Sequence, residues 1–384
     1  MPIPLMDCRY EHLIYALDGY KKTGVALIEY DGHSLLPSLT CDDIGLYCLI
    51  PKLATFFGTS LDTSLLLFFY GLGSIAFLSG IVGFFFLYRS WLSRTIAVTG
   101  LALLALMTSR FMDVYQLYTV TAVAFMPWIL YFMQKKVTCS FLMFSFLTGI
   151  GIGTAHYIRT HSGTAVILFF SILAITYVKD TWQKKIALLV CLFLGVAIPA
   201  IYFRSTYNAY VRYAQKHLPR EKIGESQHPL WHPLYLGFGF LNNPFGIQFD
   251  DSVAHKKVMS IDPTILPSDP YPSQHSENLL RVEVVSLIKK HPLFVLNTLF
   301  AKVGVLLFYF LLFANFGVIA SFLYPLPWQV LLAFTSALAF NSLFVLMTMP
   351  FFCYMLGFFS CSTLFGIASI NNLVEHWINR KKKV

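Results

Sequence analysis

From residue 64 onward the chain is written mostly as long apolar runs broken by short polar ones. A helix rises 1.5 Å per residue and a hydrocarbon core is about 30 Å thick, so a run of about 20 apolar residues reads as a membrane span. Runs of this kind lie at roughly 64–88, 95–108, 115–133, 140–155, 162–178 and 186–203. After a long polar stretch, further runs lie at 293–313, 328–348 and 351–370. The pattern therefore predicts an all-α polytopic membrane protein with about nine transmembrane helices. It divides the chain into a segment 1–63, a six-helix module 64–203, a long polar segment 204–290, C-terminal spans 291–371 and a basic tail 372–384.

Composition agrees. Of the 384 residues, 57% are hydrophobic and 12% charged, with mean hydropathy +0.64. Soluble domains carry about 25% charge, so a water-soluble enzyme and a disordered chain are both excluded. The formal charge is +9, from 28 Lys and Arg against 19 Asp and Glu. These cations sit in small groups between apolar runs, with no basic face, and no nucleic acid partner is expected; the expected surroundings are membrane lipid.

Where the cations fall sets an expected orientation, because Lys and Arg in short loops stay on the cytoplasmic side. Arg89 with Arg94, Lys135 with Lys136, Lys179 with Lys184 and Lys185, and the terminal run from Arg380 to Lys383 occupy every second connection. Segments 1–63 and 204–290 then face away from the cytoplasm, and the C-terminus faces it, in the cytoplasmic (inner) membrane. Eight of the 19 acids precede Ser64 and eight lie between Arg204 and Lys290, so the available carboxylates share one side. Some 60 outward residues with no preceding apolar run lack an evident way across, and a further span ahead of Met1 is expected. Cys41 and Cys48, in this segment, can pair in an oxidising compartment.

The first outward segment contains Thr40-Cys-Asp42-Asp43-Ile-Gly-Leu-Tyr47 ahead of an amphipathic stretch ending near Gly58. Thr40 has the chemistry of an N-cap and the acids that of a first helical turn, where the dipole favours negative charge. Alternatively, adjacent carboxylates at a membrane surface divide two roles: one accepts a proton and the other binds a metal or a substrate.

An acid pair in the first outward loop, a following aromatic, an amphipathic stretch and then many spans resembles the GT-C superfamily of membrane glycosyltransferases. The stretch Glu277 to Lys290, followed by His291-Pro292 and an apolar helix, is similar to that family's re-entry into the membrane. The resemblance implies a polyprenyl-phosphate-linked sugar as donor and a glycan, lipid or protein as acceptor. It puts the catalytic base, or the ligand of a divalent cation if one is used, on Asp42 or Asp43.

Two further groups are candidates for substrate binding. At an outward junction, His156-Tyr-Ile-Arg159-Thr-His161 either marks the water interface or uses Arg159 to hold a lipid phosphate in a bidentate fork, with His156 or His161 as donors. Arg110, near Asp113, is a second phosphate candidate whose simplest account is a local ion pair with that acid. In the long segment, His228-Pro-Leu-Trp-His232-Pro has histidines four apart, but Pro229 and Pro233 argue against the helix that zinc would need. Asn242, Asn243, Asp250 and Asp251 follow among aromatics. That loop suits sugar stacking and hydroxyl bonding, or an ordered lid; the Asp250-Asp251 pair fits a cation site, a turn or an acceptor site.

No Walker A loop, dinucleotide-binding turn, Cys-x-x-Cys pair or Gly-x-Ser-x-Gly elbow occurs. Lys302 is the one charge of note within a span and is expected in an interfacial helix. The expected reaction is an inverting single displacement at the extracytoplasmic face. Its rivals are a polymerase or ligase of lipid-linked glycans and a non-catalytic transporter or flippase.

Overall fold

A computed structural model describes residues 7–38, 43–111, 113–218, 230–266 and 273–381. Thr40, Cys41, Asp42 and His228 lie outside the described residues. Fourteen α-helices and one two-stranded hairpin make up the described chain. Eight of the helices are long and apolar enough to cross a membrane.

The helices begin where side chains can satisfy their first N–H groups. Ser60 accepts from Thr63 N–H at the start of α3 (Leu61–Leu87), Ser90 from Ser93 N–H at α4 (Trp91–Thr108), and Thr138 from Phe141 N–H at α6 (Cys139–Ile158). Between them runs α5 (Gln116–Met133). The expected fifth span is α7 (Thr164–Thr176), whose 13 residues reach only about 20 Å and fall short of the hydrocarbon thickness. Eight of the nine expected runs thus coincide with helices long and apolar enough to cross a membrane, and the remaining run coincides with the shorter α7. Helix α8 (Trp182–His217) continues 14 residues beyond the predicted end of its apolar run at 203, because nothing in the polar sequence that follows breaks a helix.

The chain divides into two compact units. One comprises Met1–Glu225, Phe313–Leu338 and Leu356–Val384; the other comprises Ser226–Leu312 and Ala339–Met355. Helices α12 (Pro292–Leu323), α13 (Trp328–Met347) and α14 (Phe352–Lys381) each contribute to both.

In the first unit α14 and α5 are the enclosed helices, with 83% and 72% of their apolar stretches buried, against 28% for α3 and α8. The α6–α8 crossing is made by small residues. A Cβ on Gly149 would stand 2.1 Å from Leu192 O, and one on Gly195 would stand 2.1 Å from Phe146 O. Ser145 Oγ donates to Leu188 O at 2.7 Å across the same contact. In lipid such small-residue stripes let backbones approach and gain dispersion energy, which stands in for the hydrophobic drive that lipid removes.

Ahead of these spans lie α1 (Asp7–Thr23), the hairpin β1 (Ile28–Tyr30) with β2 (Leu35–Pro37), and α2 (Ile44–Phe57). Helix α2 ends on Gly58, whose φ of 62° is the left-handed value a helix C-terminus favours in glycine.

The second unit packs α9 (Trp231–Gly237), α10 (Asp251–Ile261), α11 (Gln274–Lys290) and the start of α12 around Tyr235, Leu236, Ala254, Val258, Leu280 and Val284. Each large apolar side chain in that core contributes about 1.5–3 kcal/mol. A capping box at Ser273 and Ser276 starts α11.

Candidate functional site

Helix α2 approaches the C-terminal end of α6 closely because residue 45 is glycine. A Cβ there would stand 2.7 Å from Tyr157 O and from Ile158 N. That crossing sets Asp43, just before α2, beside Arg159, just after α6. Asp43 Oδ1 lies 3.2 Å from Arg159 Nη1, and its Oδ2 lies 2.6 Å from Arg9 Nε on α1. Arg9 Nη1 reaches on to Asp113 Oδ1 at 3.4 Å, and Val114 N–H donates to the same oxygen. Arg159 Nη2 donates to Tyr115 OH at 2.8 Å, with its guanidinium 4.3 Å over the ring.

None of these four charged side chains is more than 13% exposed. Two arginines and two aspartates cancel in charge, which is the condition for keeping such groups out of water. Burial pushes the Asp113 carboxyl above its usual range, and Arg9 only partly offsets it. Burial acts to lower Arg9, but Asp43 and then Asp113 more than reverse this and raise it.

The turn carrying Arg159 is fastened from α5. Tyr118 OH donates to Thr160 O at 2.8 Å and Thr121 Oγ1 to Ser162 O at 2.7 Å. His161 takes a left-handed φ of 66°, and its N–H donates to His156 Nδ1 at 3.1 Å. A non-glycine residue in that region costs about 1–3 kcal/mol and persists where its surroundings over-determine it. Arg159, His156 and His161 thus form one fixed turn beside Asp43.

Several expectations need correction. Asp43 is not in the first turn of α2: it occupies the N-cap position, and its side chain makes no capping bond. Two guanidinium groups engage both its oxygens instead, and charge-assisted bonds outweigh a neutral N–H. Asp113 does not pair with Arg110. It pairs with Arg9, and Arg110 is exposed. Both Asp43 carboxylate oxygens face guanidinium groups, and no group of three or more His, Cys, Asp or Glu that could hold a metal occurs among the described residues.

In the second unit the long-segment candidates have structural partners. His232 Nε2 lies 3.0 Å from Asp251 Oδ1, and this contact lowers the Asp251 carboxyl below its usual range. Asp250 caps α10 by accepting from Ser252 N–H. Asn243 holds its own loop, donating to Leu241 O and Ile247 O and accepting from Phe245 N–H and Ile247 N–H. Pro233 is the third residue of α9, where a missing N–H costs nothing, and that helix begins at Trp231, past His228. Glu277 takes the free N–H groups at that helix start, accepting from Leu230, Trp231 and His232 at 2.8 Å each.

Lys302 is buried. It is 1% exposed within α12, and its Nζ donates to Leu346 O and Thr348 O at the C-terminal end of α13, where helix carbonyls lack intrahelical donors.

Sequence reasoning did not single out Arg9, Tyr115 or Glu277. Their partners stand 34 to 47 positions away in most cases, and no spacing rule reaches that far. One signal was present for Arg9: it is the first arginine in an acid-rich segment, and a buried carboxylate requires a cation.

Helices of this number and length define the chain as an all-α polytopic membrane protein. Comparison with models of protein families, with curated proteins and with solved structures finds no match to this chain.

Proposed function

We propose that this protein is a membrane glycosyltransferase with the GT-C layout, moving a sugar from a polyprenyl-phosphate donor to an acceptor hydroxyl at the extracytoplasmic face. The observation that carries the reading is the meeting of Asp43 with Arg159, 116 positions apart, at 3.2 Å in a buried, charge-neutral cluster. A carboxylate and a guanidinium are the two groups that an inverting displacement from a lipid phosphate needs close together.

In this reading Arg159 and Arg9 receive the phosphate oxygens of the donor. A phosphate seated on Arg159 competes with Asp43 Oδ1 for its N–H groups, and the carboxylate oxygen so released takes the proton of the acceptor hydroxyl. Asp42, the neighbouring acid, shares the base assignment. His156 and His161 donate to the departing phosphate. The acceptor oxygen attacks the anomeric carbon as the bond to the phosphate oxygen breaks, and configuration inverts.

The test uses the full chain in proteoliposomes with radiolabelled undecaprenyl-phosphate glucose and a crude membrane-glycan acceptor. Asp42→Asn with Asp43→Asn, and separately Arg159→Gln, should each lower transfer at least a hundredfold while the protein stays folded in the membrane. Transfer within threefold of the unsubstituted protein in either variant would refute these roles.

A further inference from the structure

Beyond its apolar run, helix α8 continues through a stretch from Arg204 to His217 that holds no acid. The inner face of this stretch is Tyr210 and Ala214, with Leu218 following, all buried. Its outer face carries Arg204, Asn208, Arg212 and Lys216, all exposed and spaced four residues apart. Side chains four apart are neighbours on a helix, so these four form one ridge about 18 Å long. The sequence shows its cations only in small, scattered groups with no basic face; the folded helix brings three of them into a row. Among the described residues no carboxylate pairs with these three cations, and Arg212 Nε donates within its own helix, to Asn208 O at 3.3 Å.

One end of the ridge stands beside the candidate site. Phe203, next to Arg204, stacks on Tyr157 with ring centroids 4.9 Å apart, and Tyr157 precedes Arg159 by two residues. Lys52 of α2 donates to Tyr202 OH at 3.0 Å and brings a fourth cation to that end.

Unpaired cations in a row match a chain of anions, and the rest of the surface decides which kind. The exposed apolar side chains of α8 end at Tyr202; no large apolar side chain from Phe203 to Leu218 is exposed. A helix that lies on a lipid surface buries an apolar face in it, and this stretch has none to bury. A protein partner is anchored by buried aromatic and aliphatic side chains, which are equally absent. Nucleic acid is held by about 6–10 phosphate contacts or by bases stacked on exposed rings, and the ridge offers neither. A glycan that carries carboxylate or phosphodiester groups is hydrophilic throughout: its anions take the guanidinium and ammonium groups, and its hydroxyls take the Asn208 amide. We propose that this ridge is a docking surface for an acidic glycan. The inference does not depend on the proposed sugar transfer.

The test is binding of labelled decagalacturonate, an acidic glycan, to the full chain in phosphatidylcholine nanodiscs at low ionic strength, where exposed charges are least screened. It should bind at least tenfold more tightly than the same glycan with its carboxyls methyl-esterified. Arg204→Gln with Arg212→Gln and Lys216→Gln changes only exposed side chains and should weaken binding at least tenfold. Lys256→Gln with Lys289→Gln and Lys290→Gln removes the same charge from the second unit and should change binding less than twofold. Asp43→Asn should also change it less than twofold, which separates docking from the transfer reaction. The proposal is overturned if the acidic and esterified glycans bind alike, or if the ridge variant binds as tightly as the unsubstituted protein. Equal weakening by the two triple variants would assign the effect to net charge and also overturn it. Tighter binding of decaglutamate than of decagalacturonate would assign the ridge to an acidic protein segment, with the same consequence.

Discussion

Glu277 shows how much one side chain can organise. It is 8% exposed, yet its two oxygens accept from three consecutive backbone N–H groups at the start of α9. Charge-assisted bonds of this kind contribute about 1.5–3 kcal/mol each at most, and a buried donor left unmet costs about as much. Glu277→Gln keeps the shape but replaces one accepting oxygen by a donor facing an N–H. The expected outcome is a loss of about 2–4 kcal/mol in the second unit, by the cost of unmet buried donors. Faster hydrogen exchange at Leu230 to His232 would register it; unchanged exchange there would contradict it. Residues of this class were the least legible in the sequence. The acids, Arg159 and the histidines stood out by type and neighbourhood, but their pairings are set by where helices cross. Asp113 illustrates this: Arg110 is three positions away, and the carboxylate takes Arg9 from 104 positions away.

At the level of the element, hydropathy located every span and misjudged most lengths. An apolar run ends where the chain leaves lipid, while a helix ends where its hydrogen bonding does. Helix α8 therefore outruns its apolar core by a polar stretch free of Gly and Pro, and α14 continues to Lys381 past the predicted end of its span at 370. Contacts between the helices were not read from the sequence; in the structure Gly149 and Gly153 of α6 meet α8 at Leu192, Gly195, Val196 and Pro199, while Gly151 between them faces Phe125 of α5. The α6–α8 crossing yields a prediction with an internal control. Gly149→Leu forces side-chain atoms against Leu192 O and should destabilise the α6–α8 pair by about 1–3 kcal/mol or more, the usual penalty of overpacking. Gly71→Ala on α3, where a Cβ would meet nothing within 4 Å, should be nearly silent. Thermal denaturation in detergent should show a lower midpoint for Gly149→Leu alone; equal midpoints would mean the crossing is not tightly packed.

At the scale of the whole molecule, buried Asp113 of the first unit is shifted opposite to Asp251 and Asp262 of the second, so acid should act differently at these two places. In the second unit Asp262 is lowered to about 2 by bonds from Thr264 and His275, and Asp251 is lowered by His232. A lowered carboxyl binds protons more readily unfolded than folded, so its stabilisation is complete above the unfolded value near 4 and is lost as pH falls toward the folded one. In the first unit Asp113 is raised by burial, so its folded form binds the proton more readily. Its contribution is complete below the unfolded value and diminishes as pH rises through the folded one. Between about pH 7 and about pH 3, hydrogen exchange should therefore accelerate in α10 and at the start of α11 beyond the intrinsic pH effect. The segment from Asp113 to Tyr118 should show no such loss. Asp262→Asn should flatten the response in α10 and α11 by removing the titrating carboxyl and leave the first unit's response unchanged. A uniform response of both units to acid would mean that global net charge, rather than these local contacts, governs the acid behaviour of the fold.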